Sequence, residues 1–66
     1  MKFDKLFNAT VESNDFLALM GNVGEYTIYN THESNCIYIV KDDEVVACAD
    51  LANSEVDFME FVSSVV

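Results

Sequence analysis

The chain has 66 residues, 52% hydrophobic and 12% aromatic, with 12 acids against 3 bases and a net charge of −9. A single small domain of this length buries only about 60% of the surface its unfolded form exposes, which excludes a large enzyme with a deep active site. Five Phe and three Tyr exclude an ordinary disordered acidic tail. Two Cys are too few for a disulfide scaffold.

Along the chain, Phe3, Leu6, Phe7 and Val11 repeat at three and four, which predicts one helix face. Ser13-Asn14-Asp15 then reads as an N-cap cluster for a second short helix over Phe16–Met20, stopped by Gly21 in a left-handed conformation. The run 16–20 is apolar throughout, so a strand is the alternative there. At five residues it is as long as any uninterrupted apolar stretch in the chain, far short of a signal-peptide core or a membrane span. The expected compartment is therefore the cytoplasm, with Cys36 and Cys48 as reduced thiols.

Residues 25–31 are rich in aromatic and β-branched types and predict a strand. A polar turn at 32–35, a strand over Cys36–Lys41, a tight turn at Asp42-Asp43 and a strand over Glu44–Asp50 complete a three-stranded antiparallel meander. A regular register pairs Tyr29 with Tyr38 and Lys41 with Glu44. It places Tyr26, Ile28, Ile37, Ile39, Val46 and Cys48 on one face, assigned to the core. Thr27, Tyr29, Thr31, Cys36, Tyr38, Val40, Val45, Ala47 and Ala49 fall on the other, which a helix covers or self-association uses. A one-residue slip would invert this assignment.

Residues 54–66 predict an amphipathic helix capped by Asn53 or Ser54, with Glu55 and Asp57 in its first turn. Phe58, Phe61, Val62 and Val65 form its inner face; Asn53, Asp57, Glu60 and Ser64 its outer face. The predicted fold is α+β in a single domain over residues 1–66, with one or two N-terminal helices, the meander and the C-terminal helix.

Charge is the strongest functional signal. Residues 42–66 hold Asp42, Asp43, Glu44, Asp50, Glu55, Asp57 and Glu60 with no base, whereas residues 1–41 hold five acids and all three Lys. Such a surface repels nucleic acid and anionic membranes, because binding phosphates needs Lys and Arg. The expected partner is a basic protein surface, with no direct nucleic-acid or membrane binding.

Duplex DNA presents one charge per roughly 1.7 Å of axis. Asp57 and Glu60 would stand about 4.5 Å apart along a helix. The expected function is thus a small interaction module that occupies the basic groove of a nucleic-acid-binding enzyme, an inhibitor of the DNA-mimic type such as phages carry against host defences. Tyr29 and Tyr38 are expected to add the apolar part of that contact. The alternative is a homodimeric structural or regulatory protein whose acids only confer solubility.

Chemistry beyond binding has little behind it. Cys36 and Cys48 are 12 residues apart and expected on opposite faces, so neither a zinc pair nor a disulfide is expected. Cys48 is expected in the core and Cys36 half-buried. Asp42-Asp43-Glu44 lacks the ligand spacing of a calcium loop. With one His and no oxyanion device, no catalytic constellation forms, and no cofactor is expected.

Overall fold

The structure is a computed structural model that describes residues 1–66. Three runs of β-branched and aromatic residues build its centre: β2 (Tyr26–Thr31), β3 (Cys36–Lys41) and β4 (Glu44–Asp50). They are preceded by α1 (Phe3–Glu12) and β1 (Leu17–Val23) and followed by α2 (Phe58–Val65). The fold is α+β, with two helices and a four-stranded antiparallel sheet ordered β1-β2-β3-β4.

The predicted second helix is a strand. Asn14, expected as part of its N-cap, instead stops α1. It takes φ 58°, its N–H donates to Val11 O, and the Asp15 N–H reaches back to Thr10 O. That is a Schellman stop with Asn in the left-handed position usually held by Gly. Asp15 does not cap a helix either. Its carboxylate accepts from the Glu33 N–H at 2.7 Å and from the Ser34 hydroxyl at 2.8 Å.

Residues 17–23 then pair along the otherwise open edge of β2, with Leu19 opposite Tyr29 and Val23 opposite Tyr26. Gly21 is no helix stop. It lies close to extended, φ 157°, beside a bulge at Met20.

α1 covers residues 3–12 as the periodicity predicts, but its buried positions are Leu6 and Thr10, while Phe7 and Val11 stay exposed. α2 begins four residues later than predicted. Asp50 takes the N–H groups of Ala52 and Asn53 and the Asn53 side chain, so the expected cap residues are used up in a turn after β4. Asp57 caps α2 instead, accepting from the Glu60 N–H at 3.1 Å.

The inner face of α2 is as predicted. Val62 is buried with Ile28, Ile37 and Ile39, and Phe58, Phe61 and Val65 pack around them. The opposite face of the sheet carries α1, whose Phe3 ring lies 4.9 Å from that of Tyr29. Thr31 and Val40 are buried on that side. The sheet is therefore sandwiched between two helices.

The register of β2 on β3 is the predicted one, Tyr29 opposite Tyr38. On β4 it is shifted. Val40 pairs with Val45, but Ile39 pairs with Ala47, which leaves Val46 as an extra residue. This bulge inverts the faces of β4 beyond it. Ala47, not Cys48, joins the core, and Cys48 pairs with Tyr38 on the α1 side. Val46, expected in the core, is exposed.

Candidate functional site

The seven acids of the C-terminal half fall into groups that the fold uses differently. Asp42 and Asp43 form the two-residue turn between β3 and β4, both exposed and both left-handed, with φ 52° and 63°. That is the backbone of a type I′ hairpin turn, a conformation most comfortable for Asn-Gly. Asp tolerates it better than most residues.

Glu44 is the one acid of the seven with a cation close by. Lys2 Nζ lies 2.6 Å from it and the N-terminal amine 3.7 Å. The hydrogen bond from Lys2 holds the Glu44 carboxyl below the usual carboxylate range. Lys41 pairs with Glu44 in the ladder, but its ammonium turns to Glu25 at 3.3 Å and over the Tyr26 ring. Asp50 is likewise held low, first by the Asn53 side chain and then by backbone N–H groups. It stands at the far end of β4 from Asp43, roughly 20 Å away at 3.3 Å per residue. The hairpin turn and Asp50 therefore do not form one short row.

Glu55 and Glu60 are brought together by the late start of α2. They line an open hollow of about 510 Å³ with Val56, Phe61 and Ser64. Both carboxylates are exposed, and no cation lies within 4.0 Å of either. Asp57 stands between them in sequence, but its carboxylate is turned onto the helix end as the cap.

The hollow joins two negative heads to an apolar wall. That is the complement of a long basic side chain, whose stem wants apolar surface and whose head wants carboxylates. Val56, Phe61 and Ser64 were not among the expected site residues. Glu55 and Glu60 face a common space only because residues 51–57 are not helical, and no helical spacing shows that.

The two tyrosines part company. Tyr29 lies under Phe3 of α1. Tyr38 is half-buried between Cys36 and Cys48 on the same face, and burial first, then the neighbouring thiols, pushes its phenol above the usual range. The expectation that the two cysteines project from opposite faces is overturned by the bulge. Cys36 pairs with Asp50 and Cys48 with Tyr38, so the thiols are diagonal neighbours across β3 and β4. Both are free; Cys36 is half-buried and Cys48 exposed. His32 is exposed in the β2–β3 turn. No three His, Cys, Asp or Glu side chains converge as a metal-holding group. No helix is long and apolar enough to cross a membrane.

No protein-family model, curated protein or solved structure matches the chain.

Proposed function

We propose that the chain is a small acidic protein-binding module that occupies a basic groove of a nucleic-acid-binding protein and so blocks it, an inhibitor of the DNA-mimic type of the kind phages carry against host defences. The observation that carries the reading is the hollow where Glu55 and Glu60 stand without a cation against Val56 and Phe61. It accepts one Arg or Lys side chain of the partner, stem on the apolar wall and head between the carboxylates. Asp42 and Asp43, projecting from a hairpin turn with no cation within 4.0 Å of either carboxylate, supply further charge. Glu44, Asp50 and Asp57 contribute to the field while holding the fold. Electrostatic attraction speeds encounter and makes the complex salt-sensitive.

The test is capture of partners from lysate of the encoding host, eluted in steps of rising salt. The expected result is enrichment of one nucleic-acid-binding enzyme that duplex DNA displaces, and its loss with the Glu55→Lys/Glu60→Lys variant. Recovery of basic proteins in proportion to their abundance, unaffected by the charge reversal, contradicts it.

A further inference from the structure

The two edges of the sheet are not alike. β4 is closed. Val45 N–H donates to Met1 O at 2.7 Å and Phe3 N–H to Asp43 O at 2.8 Å, so the first residues lie along its start. Beyond that, β4 carries the Val46 bulge and ends in Asp50. Bulges, charges and a covering segment are the devices that protect an edge from another strand.

β1 has one of these devices, the bulge at Met20, but no charged residue and no covering segment. It pairs only with β2, leaving its outer N–H and C=O groups open. Residues 16–24 are the longest stretch of the chain without a charged residue. Phe16 (68%), Leu19 (63%) and Met20 (54%) are exposed there, and Met59 of α2 (65%) stands beside Met20 in a groove of about 320 Å³ between β1 and α2.

We propose that β1 is a self-association edge, on which the β1 strand of a second copy adds antiparallel about a two-fold axis to give a continuous eight-stranded sheet. Charge selects the occupant. A basic partner is drawn to the acids of the hairpin turn and α2, not to an edge without them. For two copies that each carry −9, the charge-free edge is where apolar surface meets apolar surface with least repulsion. Symmetry selects the geometry. Addition of β1 to the β4 edge of another copy would grow an open fibre, and the covered start and the bulge of β4 oppose it. The isologous β1–β1 contact closes on itself. The bulge at Met20 interrupts the ladder, so Phe16, Leu19, Met20 and Met59 carry much of the contact.

Sedimentation equilibrium over a range of concentration and salt tests this, with hydrogen exchange as a second reading. The expected mass rises to twice that of the chain, more readily at high salt, because salt screens the repulsion between copies. Leu19→Glu/Met20→Glu raises the dissociation constant about tenfold or more, since the two-fold axis sets like charges face to face. Tyr38→Glu leaves it unchanged. In the parent protein β1 amides gain protection with concentration; in the double variant they do not, while Ile39 keeps its protection. If the double variant unfolds, Val23→Glu at the end of the strand gives the same comparison.

A monomer at every concentration and salt overturns the proposal. So does a dimer that survives the edge substitutions and dissociates with Tyr38→Glu. The salt dependence is opposite to that of a complex with a basic partner, so failure of either reading is seen apart from the other.

Discussion

Asp15 ties together two segments 18 residues apart. Its carboxyl is held below the usual range, first by the Glu33 N–H and then by the Ser34 hydroxyl and N–H. With the folded value depressed, the unfolded chain binds more protons as pH falls. The stabilisation is therefore complete above the ordinary Asp value of about 4 and is lost as pH drops through the folded value. Glu44 and Asp50 act in the same direction. Asp15→Ala is expected to lower the urea midpoint at neutral pH and to shrink the loss of stability on acidification. An unchanged midpoint contradicts the clamp.

Asp43 shows a different balance. Its left-handed backbone, φ 63°, suits Gly better than any L side chain. Asp43→Gly is expected to stabilise the fold by ~0.5–1 kcal/mol, read by urea denaturation, because the left-handed penalty is removed. The same substitution removes a charge from the hairpin turn and is expected to weaken partner binding. A variant that is less stable contradicts the turn geometry.

At the scale of elements, one extra residue decides which side chains of β4 meet the core. Val46 as a bulge sends Ala47 inward and Cys48 outward. Ala47→Asp is expected to destabilise by about 1–3 kcal/mol or more, the cost of burying an unpartnered polar group. Cys48→Ser is expected to lie within about 0.5 kcal/mol of the parent. Thiol labelling of the folded protein is expected to reach Cys48 before Cys36. A Cys48 that labels only on unfolding restores the straight register and removes this account of β4.

The bulge also marks the limit of what the residues reveal alone. The meander was legible because β-branched and aromatic runs are bracketed by polar turns, and Cys36–Lys41 and Glu44–Asp50 fall within the bounds observed. The bulge was not legible, because Val45 and Val46 are both apolar and either alternation satisfies the pattern. β1 was ambiguous for a related reason. Leu, Ala and Met favour helices, and the open edge of β2, a tertiary feature, outweighs that preference. The start of α2 was misplaced because Asn53 and Ser54 make good caps, and only the structure shows Asp50 engaging that segment. For the site, the acids were legible as composition, whereas the hollow that Glu55 and Glu60 line together with Phe61 depends on where α2 begins.

The whole molecule has a small core. Eight of 66 residues are buried, and four of them form the cluster under α2, so few contacts oppose the mutual repulsion of its acids. Net charge of this size on so small a fold sets the two proposed surfaces apart. The acids of the hairpin turn and of the hollow beside α2 are proposed to attract basic partners, and the uncharged β1 edge to join two like-charged copies. Contact at the first is expected to weaken with salt and contact at the second to strengthen.

The most direct measurement is an equilibrium competition. The captured partner is bound to labelled duplex DNA and titrated with the protein at several salt concentrations. The protein is expected to displace DNA from the partner, less effectively as salt rises, and Glu55→Lys/Glu60→Lys is expected not to displace it. A ternary complex in which DNA stays bound, or displacement untouched by the charge reversal, contradicts it.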